Sequence, residues 1–107
     1  MTGGAPVAEV DIVKGLKAIE EIKVEMLKAQ WAMQEGSLRG SEGDTLQGLA
    51  DLVALSYLLT RRMGFDFSKL DRTLLQRLEE WKTEDHHKVE TQWGDISLLL
   101  SYLAPED

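Results

Sequence analysis

The chain contains no cysteine and only two prolines. Without a thiol it can form neither a disulfide, nor a thiolate metal site, nor a cysteine nucleophile. Basic residues are also scarce, since 12 Lys and Arg stand against 19 Asp and Glu, for a formal net charge of −7. This balance argues against nonspecific nucleic-acid binding and against an anionic membrane surface, because both require a basic face. An acidic protein can still bind phosphates when divalent cations bridge the two.

Long apolar runs are absent as well. The uncharged segment 52–60 holds nine residues, too few to span a bilayer. Residues 1–6 lack the basic region and apolar run of a signal peptide. We therefore expect a soluble, cytoplasmic protein without membrane or nucleic-acid partners. The length of 107 residues indicates one domain, which we place at residues 9–104 behind a flexible tail at 1–8.

Apolar residues recur at helical spacing along the whole chain, and no strict alternation predicts a strand. The fold class expected is therefore all-α, an antiparallel bundle of four to five helices completed by oligomerisation. Asp44 and Ser68 are the expected N-caps, and Gly64 supplies a left-handed helix end. The predicted elements are helices over 10–35, 45–63, 68 to about 84–91, and 94–103, with a Gly- and Ser-rich loop over 36–43.

The first helix carries two apolar stripes. Two stripes suggest that one face packs into the core and the other against a partner helix, which favours a homodimer or homotetramer. The core stripe consists of Ile12, Leu16, Ile19, Ile22, Met26, Ala29 and Met33, and the second stripe of Val24, Leu27 and Trp31.

Asp51 is the most informative residue, because no other charged side chain occurs between Asp44 and Arg61. A stretch this apolar predicts a helix buried on most of its faces. A bare carboxylate there would be very costly, so Asp51 should be hydrogen-bonded, paired, protonated or bound to a cation. Two interpretations remain open: Asp51 fixes packing through a hydrogen-bond network, or it belongs to a metal or ligand site.

Glu21 and Glu25 are the natural companions of Asp51. They are four residues apart and share a helix face, which meets Asp51 if the first two helices pack antiparallel. Three converging carboxylates would make a hard oxygen site for Mg²⁺ or Mn²⁺, able to hold nucleotide phosphates and activate a water. The competing interpretation is an ordinary solvated ion-pair face, since Lys17 and Lys28 continue the same spacing.

Two further pairs carry weaker signals. His86 and His87 point about 100° apart on a helix and cannot chelate one ion in ideal geometry, so a solvated helix end is favoured. Arg61 and Arg62 follow the apolar helix, where the helix dipole favours cations. Two interpretations remain for this pair: it caps the helix end, or it contacts a triphosphate.

The order of these elements resembles a known family. The first helix carries Glu20-Glu21-Ile22-Lys23-Val24-Glu25, and the second carries Leu49-Ala50-Asp51-Leu52-Val53 before the Arg61-Arg62-Met63-Gly64 end. This resembles the all-α nucleoside triphosphate pyrophosphohydrolases of the MazG type, whose helices carry Glu-x-x-Glu and Glu-x-x-Asp. Residues 58–71 and 93–103 look most like a small MazG-like subgroup of bacilli and clostridia.

The family's acidic ligands carry over only in part. Asp51 falls on the Asp of the second motif, but Gly48 replaces its Glu. Glu25 falls on the second Glu of the first motif, whereas Ile22 takes the place of the first. Glu21 lies one residue earlier, on the same face, and is a candidate substitute.

The resemblance implies a bacterial, Mg²⁺- or Mn²⁺-dependent hydrolase that splits a nucleoside triphosphate into monophosphate and pyrophosphate. The implied metal ligands are Glu21, Glu25 and Asp51, and the implied phosphate contacts are Arg61 and Arg77. The family's sites lie between helices of packed subunits, which agrees with a homodimer or homotetramer. The missing acidic residues leave an alternative open: a non-catalytic regulatory or interaction module on the same scaffold.

Overall fold

The computed structural model of the chain describes residues 7–83 and 88–104, with side chains from residue 12 onward. Every element within these ranges is an α-helix and none is a strand, so the all-α prediction is confirmed. None of the described helices is both long and apolar enough to cross a membrane. The helices are α1 (Val7–Arg39), α2 (Glu42–Arg62), α3 (Phe67–Thr83), α4 (Lys88–Trp93) and α5 (Asp95–Leu103).

The chain divides into two compact units, one ending at Asp66 and one beginning at Phe67. In the first unit α1 and α2 pack along each other as a helical hairpin. In the second unit α5 contacts both α3 and α4. The candidate site residues Glu21, Glu25 and Asp51 all belong to the first unit.

The hairpin turn is much shorter than the sequence predicts. The loop expected over 36–43 is wrong, because α1 continues through Gly36 and only Gly40 and Ser41 separate the two helices. Gly36 is helical and lies against the start of α2, where an added Cβ would come 2.9 Å from the backbone nitrogen of Thr45. Gly36 therefore allows the two helices to approach closely, and it does not end α1. Gly40, with φ of 74°, makes the actual turn.

Ser41, not Asp44, is the N-cap of α2. Its Oγ accepts a hydrogen bond of 3.2 Å from the backbone nitrogen of Asp44, which satisfies one of the free donors at the helix start. The predicted cap at Asp44 is therefore wrong by three residues. Asp44 lies instead in the first turn, where a negative charge is favoured by the helix dipole.

The later boundaries are partly as expected. The stop at Gly64 is confirmed, since α2 ends with Met63 as its C-cap and Gly64 has φ of 97°. Ser68 lies inside the first turn of α3 rather than before it. The short helix α4 was not predicted. Residues 84–87, which include His86 and His87, lie outside the described residues.

The first unit has little core of its own. Among the described residues the buried hydrophobic side chains are Ala29, Leu78 and Ile96, and only Ala29 lies in this unit. The second stripe of α1 is open to solvent; Leu27 and Trp31 are 67% and 66% exposed. The core stripe is also exposed at its beginning, as at Leu16, because α1 has 33 residues and α2 only 21.

Candidate functional site

Asp51 lies at the edge of the α1–α2 interface and is exposed. The expectation that it is buried is wrong, and no polar or charged side chain is buried within the described parts of the chain. The reason is that within the first unit α2 packs against α1 alone, so only the side of α2 that faces α1 is shielded there. Gly48 occupies that side, and Asp51 lies about 60° further around the helix. Its apolar neighbours in sequence point largely to solvent instead of surrounding it.

Glu25 and Asp51 face one shared hollow between the two helices. We call this the Glu25–Asp51 hollow; its volume is about 480 Å³. Antiparallel packing thus brings together the two carboxylates that align best with the family motifs. The residues that line it are Glu25, Lys28, Ala29 and Ala32 of α1, and Asp51, Ala54 and Leu55 of α2.

Glu21 does not line this hollow. It is exposed and precedes Glu25 by one turn, about 6 Å along α1. Over residues 12–83 and 88–104, no three or more His, Cys, Asp or Glu side chains lie close enough together to hold a metal ion. The hollow therefore offers two carboxylates, with Glu21 outside it.

A second, smaller hollow of about 240 Å³ lies toward the hairpin turn. We call it the turn hollow. Asp51 and Ala32 line both hollows, so the two adjoin at these residues. The other residues that line the turn hollow are Trp31, Glu35, Arg39, Asp44, Gln47 and Gly48.

Arg39 links the two helices inside the turn hollow. Its Nη2 donates to Oδ2 of Asp44 at 3.0 Å, and its Nε lies 3.5 Å from Oε1 of Glu35. The hydrogen bond from Arg39, followed by that from Ser41, holds the pKa of the Asp44 carboxyl below its ordinary value. Sequence reasoning did not identify this group, because it placed 36–43 in a loop. The i, i+4 spacing of Glu35 and Arg39 was the available signal.

Gly48 stands where the family motif has its glutamate, and it lines the turn hollow. An added Cβ at this position would lie 2.8 Å from both the backbone nitrogen and the Cβ of Met33. The backbones of α1 and α2 are therefore too close for any side chain at position 48. Gly48, which replaces the motif glutamate, is therefore buried where the two helices cross.

Arg61, one of the two predicted phosphate contacts, lies away from the Glu25–Asp51 hollow. Arg61 is ten residues beyond Asp51 on α2, about 15 Å along the helix axis. Arg77 belongs to the second unit, where it pairs with Glu80 and stacks over the ring of Trp81 at 5.7 Å. The side chain of Arg61 does not line the hollow.

Comparison with known proteins supports the resemblance noted from the sequence. The comparison with curated proteins found no match, and neither did the comparison with solved structures. The model of the MazG-like family matches residues 12–96, a span that includes Glu21, Glu25 and Asp51. It does not distinguish subgroups within the family. Because this match covers well over half of the 107 residues, the chain belongs to the MazG-like family.

Proposed function

We propose that this chain binds a nucleoside triphosphate together with Mg²⁺ or Mn²⁺ and hydrolyses it to the monophosphate and pyrophosphate. The observation that carries the proposal is the placement of Glu25 and Asp51 on opposite helices around one hollow. Family membership supports it, since it suggests a scaffold of the nucleotide pyrophosphohydrolase type.

The donor set of the hollow fits a single Mg²⁺ ion. Magnesium in nucleotide sites is commonly bound by one or two carboxylates, with waters and substrate phosphates completing the octahedron. Glu25 and Asp51 supply that number from rigid helices. Glu21 is proposed as a further ligand that acts through a water, because it lies one helical turn outside the hollow.

In the proposed reaction a water oxygen bonds to the α-phosphorus while the bond from that phosphorus to the bridging oxygen breaks. Pyrophosphate leaves, and the proton of the water passes to a nearby carboxylate and then to solvent. The metal, when bound, supplies positive charge to the phosphate oxygens. Glu25 and Asp51 would hold it in place, and Arg61 stays a proposed contact for the outer phosphates.

We further propose that the chain acts as a homodimer. The outer face of α1 exposes Val24, Leu27 and Trp31, and Ala29 is the one buried hydrophobic side chain among the described residues of the first unit. A chain that leaves this much apolar surface in water gains stability by covering it. A Leu27→Glu variant is expected to run as a monomer in analytical ultracentrifugation, whereas Gln30→Glu, an exposed position on the same helix, keeps the dimer. A wild type that sediments as a monomer at high micromolar concentration would disprove this part.

The deciding experiment measures pyrophosphate release from a panel of standard and modified nucleoside triphosphates, with Mg²⁺ or Mn²⁺. Asp51→Ala is expected to abolish release, while Glu20→Ala retains it, because Glu20 is an exposed carboxylate on α1 whose partner is Lys23. Release that persists in Asp51→Ala would indicate a contaminating hydrolase. No release from any triphosphate would contradict the catalytic proposal.

Gly48 favours a second candidate, a non-catalytic regulatory or interaction module on the same scaffold. The close approach to Met33 leaves no space there for an acidic ligand. This candidate predicts no stabilisation by metal, whereas the enzyme predicts that millimolar Mg²⁺ raises the melting temperature and that Asp51→Ala removes the increase. Thermal melts of both proteins with and without Mg²⁺ therefore separate the two.

A further inference from the structure

Lys28 is a charged residue of the Glu25–Asp51 hollow that the acidic motifs do not account for. The hollow contains two carboxylates and this one ammonium, and its remaining walls are Ala29, Ala32, Ala54 and Leu55. Its formal charge is therefore only −1. Lys28 follows Glu25 by three residues, so both side chains leave the same side of α1.

The ammonium of Lys28 is not neutralised by a neighbour. Within the described parts of the chain Lys28 forms no ion pair within 4.0 Å, although Glu25 and Asp51 line the same hollow. By contrast, Arg39 in the adjoining turn hollow forms ion pairs with Glu35 and Asp44. Lys28 is exposed on a long flexible stem, so its charge is available to a ligand in the hollow.

Among the described residues of the first unit, no other cation lines the Glu25–Asp51 hollow. Arg61, on the same helix as Asp51, does not line it, and Gly48 leaves no space for a side chain of any charge. A triphosphate placed between Glu25 and Asp51 would meet two negative charges, which repel it, and one positive charge, which attracts it.

We propose that Lys28 binds the triphosphate directly, so that this site holds the phosphate chain even without a divalent cation. This inference rests on the proposed nucleotide binding but not on turnover. The ammonium would donate to phosphate oxygens and offset the repulsion from Glu25 and Asp51. The metal then adds to an existing phosphate site instead of creating it.

The test measures binding of a nucleoside triphosphate and of inorganic tripolyphosphate to the full chain by calorimetry, once in EDTA and once in Mg²⁺. Wild type is expected to bind both in EDTA. Lys28→Gln is expected to weaken this binding on the order of tenfold or more, the effect of losing one charged hydrogen bond. Lys28→Arg should retain it, and Lys14→Gln, on the same helix far from the hollow, should leave it unchanged.

Lys28→Glu is a second variant with an opposite prediction. It adds a carboxylate to the hollow, so binding should disappear in EDTA and become steeply dependent on Mg²⁺. All four substitutions lie at exposed positions of α1, and circular dichroism melts verify that the variants are folded.

The outcomes separate this inference from the proposed function. If triphosphate binds only in Mg²⁺, and equally well to wild type and Lys28→Gln, then the role of Lys28 is refuted while nucleotide binding stands. An equal loss in Lys28→Gln and Lys14→Gln would show a general charge effect and would also refute it. If neither ligand binds in either buffer, the proposed function itself is wrong.

Discussion

Gly48 lies directly against Met33, with 2.8 Å between its ideal Cβ position and the backbone nitrogen of Met33. The two helices can approach this closely only because position 48 has no side chain. The same contact removes the acidic residue that the family motif places there. Helix packing and the composition of the site are thus decided by one residue.

Substitution of Gly48 is therefore expected to weaken the hairpin. Gly48→Ala should lower the free energy of unfolding by about 1–3 kcal/mol, the usual cost of overpacking. Gly43→Ala, in the same helix with nothing within 4 Å, should instead raise it by about 0.5–1 kcal/mol through helix propensity. Urea unfolding of both variants and of wild type measures these two changes in the free energy of unfolding. Equal stabilisation by the two alanines would contradict the close crossing.

Gly48→Glu restores the family motif in sequence but should not restore the site. Its side chain meets the backbone of Met33, so we expect greater destabilisation than with alanine and no gain in Mg²⁺-linked melting temperature. Melts with and without Mg²⁺ measure both effects. A stable variant with stronger metal stabilisation would show that the helices can separate here.

Asp51 should matter for ligands and not for folding. Because it is exposed, Asp51→Asn and Asp51→Leu should each change the metal-free stability by no more than about 0.5 kcal/mol. A buried hydrogen-bond centre would instead tolerate Asn much better than Leu. Urea unfolding in EDTA makes this comparison. A large difference between Asn and Leu would mean that a second subunit covers Asp51.

Ser41 should stabilise the hairpin turn. Ser41→Ala removes the acceptor for the backbone nitrogen of Asp44 and should cost about 1 kcal/mol. Ser37→Ala, an exposed serine in the last turns of α1, is the matched control and should be nearly neutral. Thermal or urea unfolding of the two variants reveals the difference. An equal loss of stability in the two variants would mean that Ser41 is not the N-cap of α2.

Glu90 makes the second unit sensitive to acid. Its Oε1 accepts from the backbone nitrogen of Ser97 at 2.9 Å and its Oε2 from the Ser97 Oγ at 2.5 Å, which completes the start of α5 after Gly94. These bonds, the side-chain bond first, hold the pKa of Glu90 below its ordinary value.

A lowered pKa in the folded state means that the stabilisation is fully present above the ordinary glutamate pKa, about 4.3, and is lost as the pH falls through the lowered value. Glu90→Gln should therefore unfold more easily than wild type at pH 7, and the difference should shrink in acid below the lowered pKa. Glu79→Gln, an exposed glutamate of α3, is the control. Hydrogen exchange of the α5 amides, measured at pH 7 and at a pH below the lowered pKa, gives the stability difference between the variants and wild type. A pH-independent difference would exclude the carboxylate as its source.

The sequence by itself determined the helical fold, the stop at Gly64 and the alignment of Glu25 and Asp51 with the family motifs. Periodicity and glycine conformation act within a few residues, so local sequence contains that information. Tertiary structure alone decided that Gly36 and Gly48 are contacts between helices, because a glycine that breaks a helix and one that permits a close approach look the same in sequence. It also decided that Asp51 is exposed and shares its hollow with Lys28, since burial depends on what packs against each face and not on the polarity of neighbours along the chain.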